Sequence, residues 1–237
     1  MDNQNDLRFL SVKLYPYFSD VVVGSEKVVK YRRYFYKCMD NCLSQRDIRF
    51  ISGSRAEGLD LPGSDLDLMC LTDTYVVDEN KGIHRSILEK LNGDCVCFGT
   101  TKTLNIDFKT LCKIHGPAVS TALNGIQEVD FVRCLPCREW PSIAKRWLHR
   151  SRCFKWPSSD LITEAIHEGV LLVPVGSKSP SSEENNTEWR FSFSLTEKLL
   201  VHSFNHTQLL CYALLKIVLK EIFNKVNIFE NCYAHIT

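Results

Sequence analysis

The spacing of apolar positions changes period along the chain, and each change marks a new kind of element. From about residue 6 to 46 the spacing is helical, in one or two pieces; "VVKYRRYFYKCMDNCLSQ" brings Val28, Tyr31, Tyr34, Phe35 and Cys38 near one face. The period then shortens to two. "IRFISGS" reads as a short strand ending in a Gly-Ser turn, with Ile48 and Phe50 on one face and Arg49 and Ile51 on the other. "RAEGL" makes a turn of helix or a loop, and "LPGS" is a breaker cluster. "DLDLMCLT" alternates Asp65 and Asp67 against Leu66 and Leu68 as a strand, and "EVDFVRCLPC" is another strand, with Asp130 between Val129 and Phe131. "WPSIAKRWLHRSR" starts with proline and continues as a basic helix. "GVLLVPVGSK" is a strand followed by a loop, and "SPSSEENNTE" is a polar surface loop. "WRFSFSLTEKLLV" begins as a strand and turns helical near Leu195, and "NHTQLLCYALLKIVLKEIF" is a helix that is apolar almost all round. Helix, then strands, then helices predicts an α+β fold with an N-terminal spine and a helical second lobe.

A chain of 237 residues is long enough for one large domain or two lobes. A formal net charge of +1 means that any nucleic-acid partner must find a local basic patch. No run of 18 apolar residues exists, which predicts no membrane span, and the N-terminus has the pattern of neither a signal nor a transit peptide. The 11 cysteines are odd in number and irregular in spacing, which favours reduced thiols and a cytoplasmic location. "CLPC" at 134–137 is a lone CxxC, read as buried free thiols rather than zinc ligands. His202 and His206 lie four apart on one predicted helix with Cys211 beyond, read as packed or surface histidines.

The stretch "GSRAEGLDLPGSDLDLMC" carries the chemistry. The strand period puts Asp65 and Asp67 on one face, where both can grip one ion, and ionised carboxylates there call for a cation. The plain alternative is a solvated hairpin with its acids on the wet face. Mg2+ takes hard carboxylate oxygens and leaves positions for water and phosphate. Two such ions about 3.5–4 Å apart can activate a hydroxyl and steady a leaving pyrophosphate. A third acid from a neighbouring strand, Asp130, completes that set, with Asp107 as its rival. The Gly53-Ser54 turn lets backbone amides and a hydroxyl approach phosphates.

"GS" with "DLDLM", then "EVDFVRCLPCREWP", then "EWRFSFSLTEKLL", in that order, resembles the Mab-twenty-one-like (male abnormal) group of nucleotidyltransferase-fold proteins. That group includes cyclic GMP-AMP synthase and the animal cyclic GMP-AMP synthase-like receptors. The resemblance runs from about residue 25 to the C-terminus, and "WRFSFS" before an acid-and-lysine helix start is its most specific piece. It implies a nucleotidyltransferase fold with a helical spine over 1–46, a core with a central mixed sheet over 47–194, and an incomplete C-terminal helical lobe over 195–237. It implies Asp65, Asp67 and Asp130 as catalytic metal ligands and Ser54, after Gly53, as a triphosphate contact. Arg190 would meet the acceptor base with Ser192 and Ser194 nearby. Glu197 would support the donor site, Lys216 would reach a phosphate, Tyr233 would stack on a base, and Lys178 is a weaker match.

Two departures shape the expectation. Only a short link joins "SFSLTEKLL" to "CYALLK", so the cysteine-rich zinc insertion of vertebrate cyclic GMP-AMP synthase is absent, and the chain is similar instead to the invertebrate receptors. The chain also stops at Thr237, short of the family's usual helical lobe, which predicts a truncated form with an exposed apolar face on the last helix and weak or no catalysis. Arg138, Lys145, Arg146, Arg150, Arg152 and Lys155 stand against only Glu139 in one segment, and the spine adds Lys27, Lys30, Arg32 and Arg33; together they are the candidate double-stranded RNA surface. The resulting expectation is a Mg2+- or Mn2+-dependent enzyme that joins ATP and GTP into a cyclic dinucleotide in innate sensing. The alternative is a non-catalytic Mab-type scaffold in development or signalling.

Overall fold

The computed structural model describes residues 2–43, 49–64, 66–71, 76–79, 112–115, 118–123, 127–152, 154–175 and 188–226. The spine is helical as the period predicts. Helix α1 (Asp2–Tyr17) runs into a π-helical turn (Phe18–Val22), and Gly24, with φ +95°, breaks the rod before α2 (Glu26–Leu43). Strand β1 (Arg49–Ser52) leads directly into the single turn α3 (Gly53–Ala56). Strands β2 (Leu66–Leu71), β3 (Cys112–His115), β4 (Ala118–Leu123) and β5 (Gln127–Pro136) follow. After a 3-10 turn at Ser142–Ala144 come the single turn α4 (Lys145–Leu148), α5 (Ser159–Glu168), β6 (Leu171–Val175), β7 (Glu188–Ser192), α6 (Ser194–His202) and α7 (His206–Val226).

The sheet is mixed, in the order β1-β2-β5-β4-β3, with β6 and β7 attached through the end of β5. β2 runs parallel to β5; β1 with β2 and β4 with β5 are antiparallel. Two cores clothe its two faces. On one, Ile51, Ala56, Leu68, Cys70 and Val129 pack with Tyr36, Met39 and Leu43 of the spine. On the other, Met69, Val132 and Cys134 pack with Leu171, Val173 and Leu195. A third core, with Val29, Leu59, Val201, Leu209, Leu210 and Ala213, joins the spine to α6 and α7.

The structure corrects two sequence expectations and decides a further point, which face of α2 packs. The stripe of Val28, Tyr31, Tyr34 and Phe35 faces solvent, with Tyr34 68% exposed, whereas Val29 is buried and Tyr36 and Met39 pack on the sheet. The amphipathic period is present, but the face that packs is the one carrying Arg33, because that guanidinium finds carbonyl acceptors inside. The basic helix at "WPSIAKRWLHRSR" is only a 3-10 turn and one α-turn, since neither has a side-chain N-cap and Arg152 takes the Trp147 and Arg150 carbonyls where a further turn would begin. His202 and His206 stand on different helices, split by the Ser203–Asn205 turn.

The CxxC reading is explained by the strand. Cys134 sits in the core with Met69 and Val132, while Cys137, three residues on, packs with Val77 and Leu135 on a different side. Burial pushes the Cys134 thiol up to about 12 and the Cys137 thiol up to about 11, so both are neutral packing groups.

Candidate active site

Register places the acids. Asp67 of β2 pairs with Asp130 of the parallel β5, and paired residues of adjacent strands project to the same sheet face. It is the face of Met69, Val132 and Cys134, opposite the spine, so the acids form the polar end of a surface that is otherwise core. Ser52 of β1 is the register partner of Asp67 on its other side. Immediately after Ser52, Gly53 adopts φ +78°, and a Cβ there would collide with Asp67 Oδ2. Glycine is therefore required on two counts: the left-handed backbone, and the close approach of the turn to the carboxylate. Asp65 lies outside the described residues, and among the described residues no three His, Cys, Asp or Glu side chains converge on one metal position. Asp67 and Asp130 are hard oxygen donors on one face, the chemistry Mg2+ takes.

Ser54 heads the other half of the site. Its Oγ accepts a hydrogen bond from Lys216 Nζ of α7 at 2.9 Å, and the same ammonium donates to Glu57 Oε2 at 2.9 Å. Glu57 Oε1 accepts from the Tyr212 hydroxyl at 3.2 Å, one helical turn before Lys216. Burial alone would lower the Lys216 pKa, but the hydrogen bond and charge of Glu57, with Tyr212, outweigh it and raise it. Glu197, in the first turn of α6, has its carboxyl pushed up by loss of hydration among its neighbours and by the like charge of Glu57, opposed by Lys216 and Arg190; part of its surface still meets solvent.

Arg190 is exposed on β7, and Ser192 closes that strand. Ser194 opens α6, with a buried Oγ that has no hydrogen-bond partner among the described residues. Sequence separations of well over one hundred residues thus close on one region: Gly53, Ser54, Glu57, Glu197 and Lys216, with Asp67 against Gly53 and Asp130 beside it. Tyr233, Lys178 and Asp107 lie outside the described residues.

Three residues that hold this region carried no individual role in the sequence. Glu57 is one; its only trace is its place three residues after Ser54 in a helical turn. Asp40 and Lys198 are the others. Asp40 Oδ1 accepts the Ile51 N–H at 2.7 Å, Lys198 Nζ donates to the Ile51 carbonyl at 3.1 Å, and the two side chains pair at 2.7 Å. They serve the edge of β1 away from β2 as a neighbouring strand would. Arg33, counted among the basic-surface residues, is instead half-buried and turned inward: it donates to the carbonyls of Glu57 at 2.8 Å, Val201 at 3.1 Å and His202 at 3.3 Å. Burial lowers its pKa. Arg32 also turns inward, to the Val23 carbonyl.

A mixed sheet with paired strand carboxylates beside a Gly-Ser turn defines a nucleotidyltransferase-type domain. Residues 79–203 match the Mab-21 protein nucleotidyltransferase domain, and with more than half of its length matched the chain belongs to that family. The matched segment contains Asp130, Arg190, Ser192, Ser194 and Glu197; Gly53, Ser54, Asp67 and Lys216 flank it. No curated protein matches the chain.

Proposed function

We propose that this nucleotidyltransferase-type protein joins ATP and GTP into a cyclic dinucleotide in innate immune sensing in the cytoplasm, using Mg2+ or Mn2+. The observation that carries the reading is the register pair Asp67 and Asp130 beside a Gly-Ser turn whose hydroxyl is already bound by a lysine. Asp65, Asp67 and Asp130 would hold the metal, which when bound neutralises triphosphate charge and favours the ionised form of the attacking hydroxyl. Gly53 brings backbone close to the phosphates, and Ser54 donates its hydroxyl to one of them. Arg190, Ser192 and Ser194 flank the acceptor base, Glu197 supports the donor, and Tyr233 stacks on a base. A hydroxyl of one nucleotide displaces pyrophosphate from the α-phosphorus of the other and loses its proton, and repetition within the linear product closes the ring.

The division into spine (1–46), core (47–194) and helical lobe (195–237) is part of the same proposal. So is double-stranded RNA as activator. Arg138, Lys145, Arg146, Arg150 and Lys155 are exposed near one another in sequence, while Arg32 and Arg33 are used internally, so the surface proposed for RNA is the 138–155 segment. Cys38, Cys42, Cys70, Cys134, Cys137 and Cys211 are free thiols, in keeping with a reducing compartment. Among the described residues no helix is long and apolar enough to cross a membrane.

The test is incubation of the purified protein with all four labelled nucleotides, Mg2+ or Mn2+, and a panel of nucleic acids, followed by resolution of the products. The expected result is a metal-dependent cyclic product lost in Asp67→Asn. No product under any condition would favour the scaffold alternative.

A further inference from the structure

The loop that follows α4 presents a side chain that the core does not take up. Phe154 is 93% exposed, and among the described residues no large apolar side chain meets more solvent. Residues on either side of it are held. Arg152 donates to the carbonyls of Trp147 and Arg150, and its guanidinium carbon lies 5.0 Å from the centre of the Trp147 ring, which itself stacks on Trp140 at 5.8 Å. Trp156 donates from Nε1 to Ser203 Oγ at 3.1 Å and leans on Phe204 with ring centres 5.3 Å apart, which ties it to the turn between α6 and α7. Between Phe154 and Trp156, Lys155 adopts φ +52°, a left-handed conformation that a side chain disfavours. Arg152 and Trp156 are each anchored to the body of the protein, so the Phe154 ring is offered from a short, held loop, and little ordering is left for a partner to impose.

The surroundings select the partner by charge. From Trp140 to Ser159 the sequence holds Lys145, Arg146, Arg150, Arg152 and Lys155 and no aspartate or glutamate. Lys145, Arg146, Arg150 and Lys155 are exposed, a surface that takes a polyanion. A continuous duplex answers the cations with its phosphates, but its bases are stacked on one another and leave no open face for a flat ring. An unpaired base has such a face, and proteins hold single strands by stacking bases on aromatic side chains. An anionic bilayer would also answer the cations, but it rewards several apolar side chains entering together. Trp156 is engaged with Ser203 and Phe204, and Ile143 belongs to the 3-10 turn before α4, which leaves Phe154 as a single ring. We propose that Phe154 is a base-stacking anchor, so that the 138–155 segment binds RNA at unpaired nucleotides beside a duplex, the cations taking phosphates and the ring taking a base. This deepens the RNA reading given above and rests on it.

A preference for unpaired bases separates this anchor from a purely electrostatic surface. Binding of the full chain is measured by fluorescence anisotropy with a labelled continuous duplex RNA and with the same duplex interrupted by a single-stranded gap, so that the ends are common to both. Co-sedimentation with vesicles of phosphatidylcholine and phosphatidylserine is measured alongside. The expected result is that the gapped duplex binds about tenfold tighter than the continuous one, the scale of one base stacked on a ring. Phe154→Ala removes that difference and leaves continuous-duplex binding, its salt dependence and the melting curve unchanged, whereas Phe154→Trp keeps the difference. Arg146→Glu with Arg150→Glu weakens binding of both duplexes and flattens the salt dependence of both. Equal binding of the two duplexes, or a preference that survives Phe154→Ala, overturns the anchor and leaves the RNA surface standing. Vesicle binding that is lost in Phe154→Ala, with no preference between the duplexes, assigns the ring to a lipid surface and overturns the anchor as well. No RNA binding by the folded wild-type protein, or RNA binding indifferent to the charge reversal, overturns the RNA surface and the anchor with it.

Discussion

At the scale of single residues, the site depends on positions where one atom too many cannot be absorbed. Gly53 is such a position: a methyl group would meet the Asp67 carboxylate in a backbone conformation that already disfavours side chains. Gly53→Ala is expected to cost about 1–3 kcal/mol, read as a lowered urea midpoint, and to displace the carboxylate as well. His202 sets a different constraint. Its Nε2 lies 2.8 Å from the Ala56 carbonyl, so it must carry the proton and donate, and burial lowers its pKa despite that bond. The folded state therefore binds the second proton more weakly than the unfolded chain. Its contribution to stability is complete above the unfolded value of 6.5 and is lost as pH falls through the lowered folded value. Urea midpoints between pH 7.5 and 5.5 are expected to decline more steeply in the wild type than in His202→Gln, which keeps an N–H donor without the titration. Equal slopes would remove His202 from this role.

At the scale of elements, the spine is tied to the site by hydrogen bonds as well as by apolar packing. Arg33 reaches from α2 to the carbonyl just beyond α3 and to two carbonyls at the end of α6, placing a cation where helix C-termini favour one. Gly58 permits the approach: a Cβ there would lie 2.9 Å from Val29 and 3.0 Å from Arg33. Lysine carries its three donors on one compact atom and lacks the planar fork that spreads them over these three carbonyls. Arg33→Lys is expected to lower stability by about 1–3 kcal/mol, measured by denaturant unfolding. Because the clamp touches the segment bearing Glu57, it should also weaken triphosphate binding; an unchanged melting curve would show that the clamp carries no stability.

At the scale of the whole molecule, the unresolved balance is between buried and exposed apolar surface. α7 buries Leu209, Leu210 and Ala213 in the core, yet presents Leu215 (60% exposed), Val218, Leu219 and Ile222 to solvent. Spaced three and four apart, these form one stripe on one side of the helix, the apolar face expected from a sequence that is hydrophobic all round. Leu215→Glu with Leu219→Lys should reduce dye binding and concentration-dependent association, with a change in melting temperature no larger than ordinary surface substitutions give, about 0.5 kcal/mol in stability. At the basic segment, Arg146→Glu with Arg150→Glu should weaken duplex RNA binding alike for all sequences and flatten its salt dependence. Retention of wild-type RNA binding would remove this segment as the nucleic-acid surface.

Local pattern was enough to determine most elements, since hydrophobic period and breaker residues act over a few neighbours. It placed the spine, the strands around Asp67 and Asp130, the strand-to-helix change before Leu195 and the last apolar helix. It also singled out Gly53, Ser54, Asp67 and Asp130 as candidates, because an acid inside an apolar strand and a glycine before a helical turn are local anomalies. Only tertiary structure decided which face of α2 packs, since apolar period alone cannot show that Arg33 finds buried carbonyls. Only it set Asp67 opposite Asp130, through strand pairing across some sixty residues. Only it revealed Glu57 as the partner of Lys216, because a glutamate becomes distinctive when the fold buries it and brings it an ammonium from a helix 159 residues away.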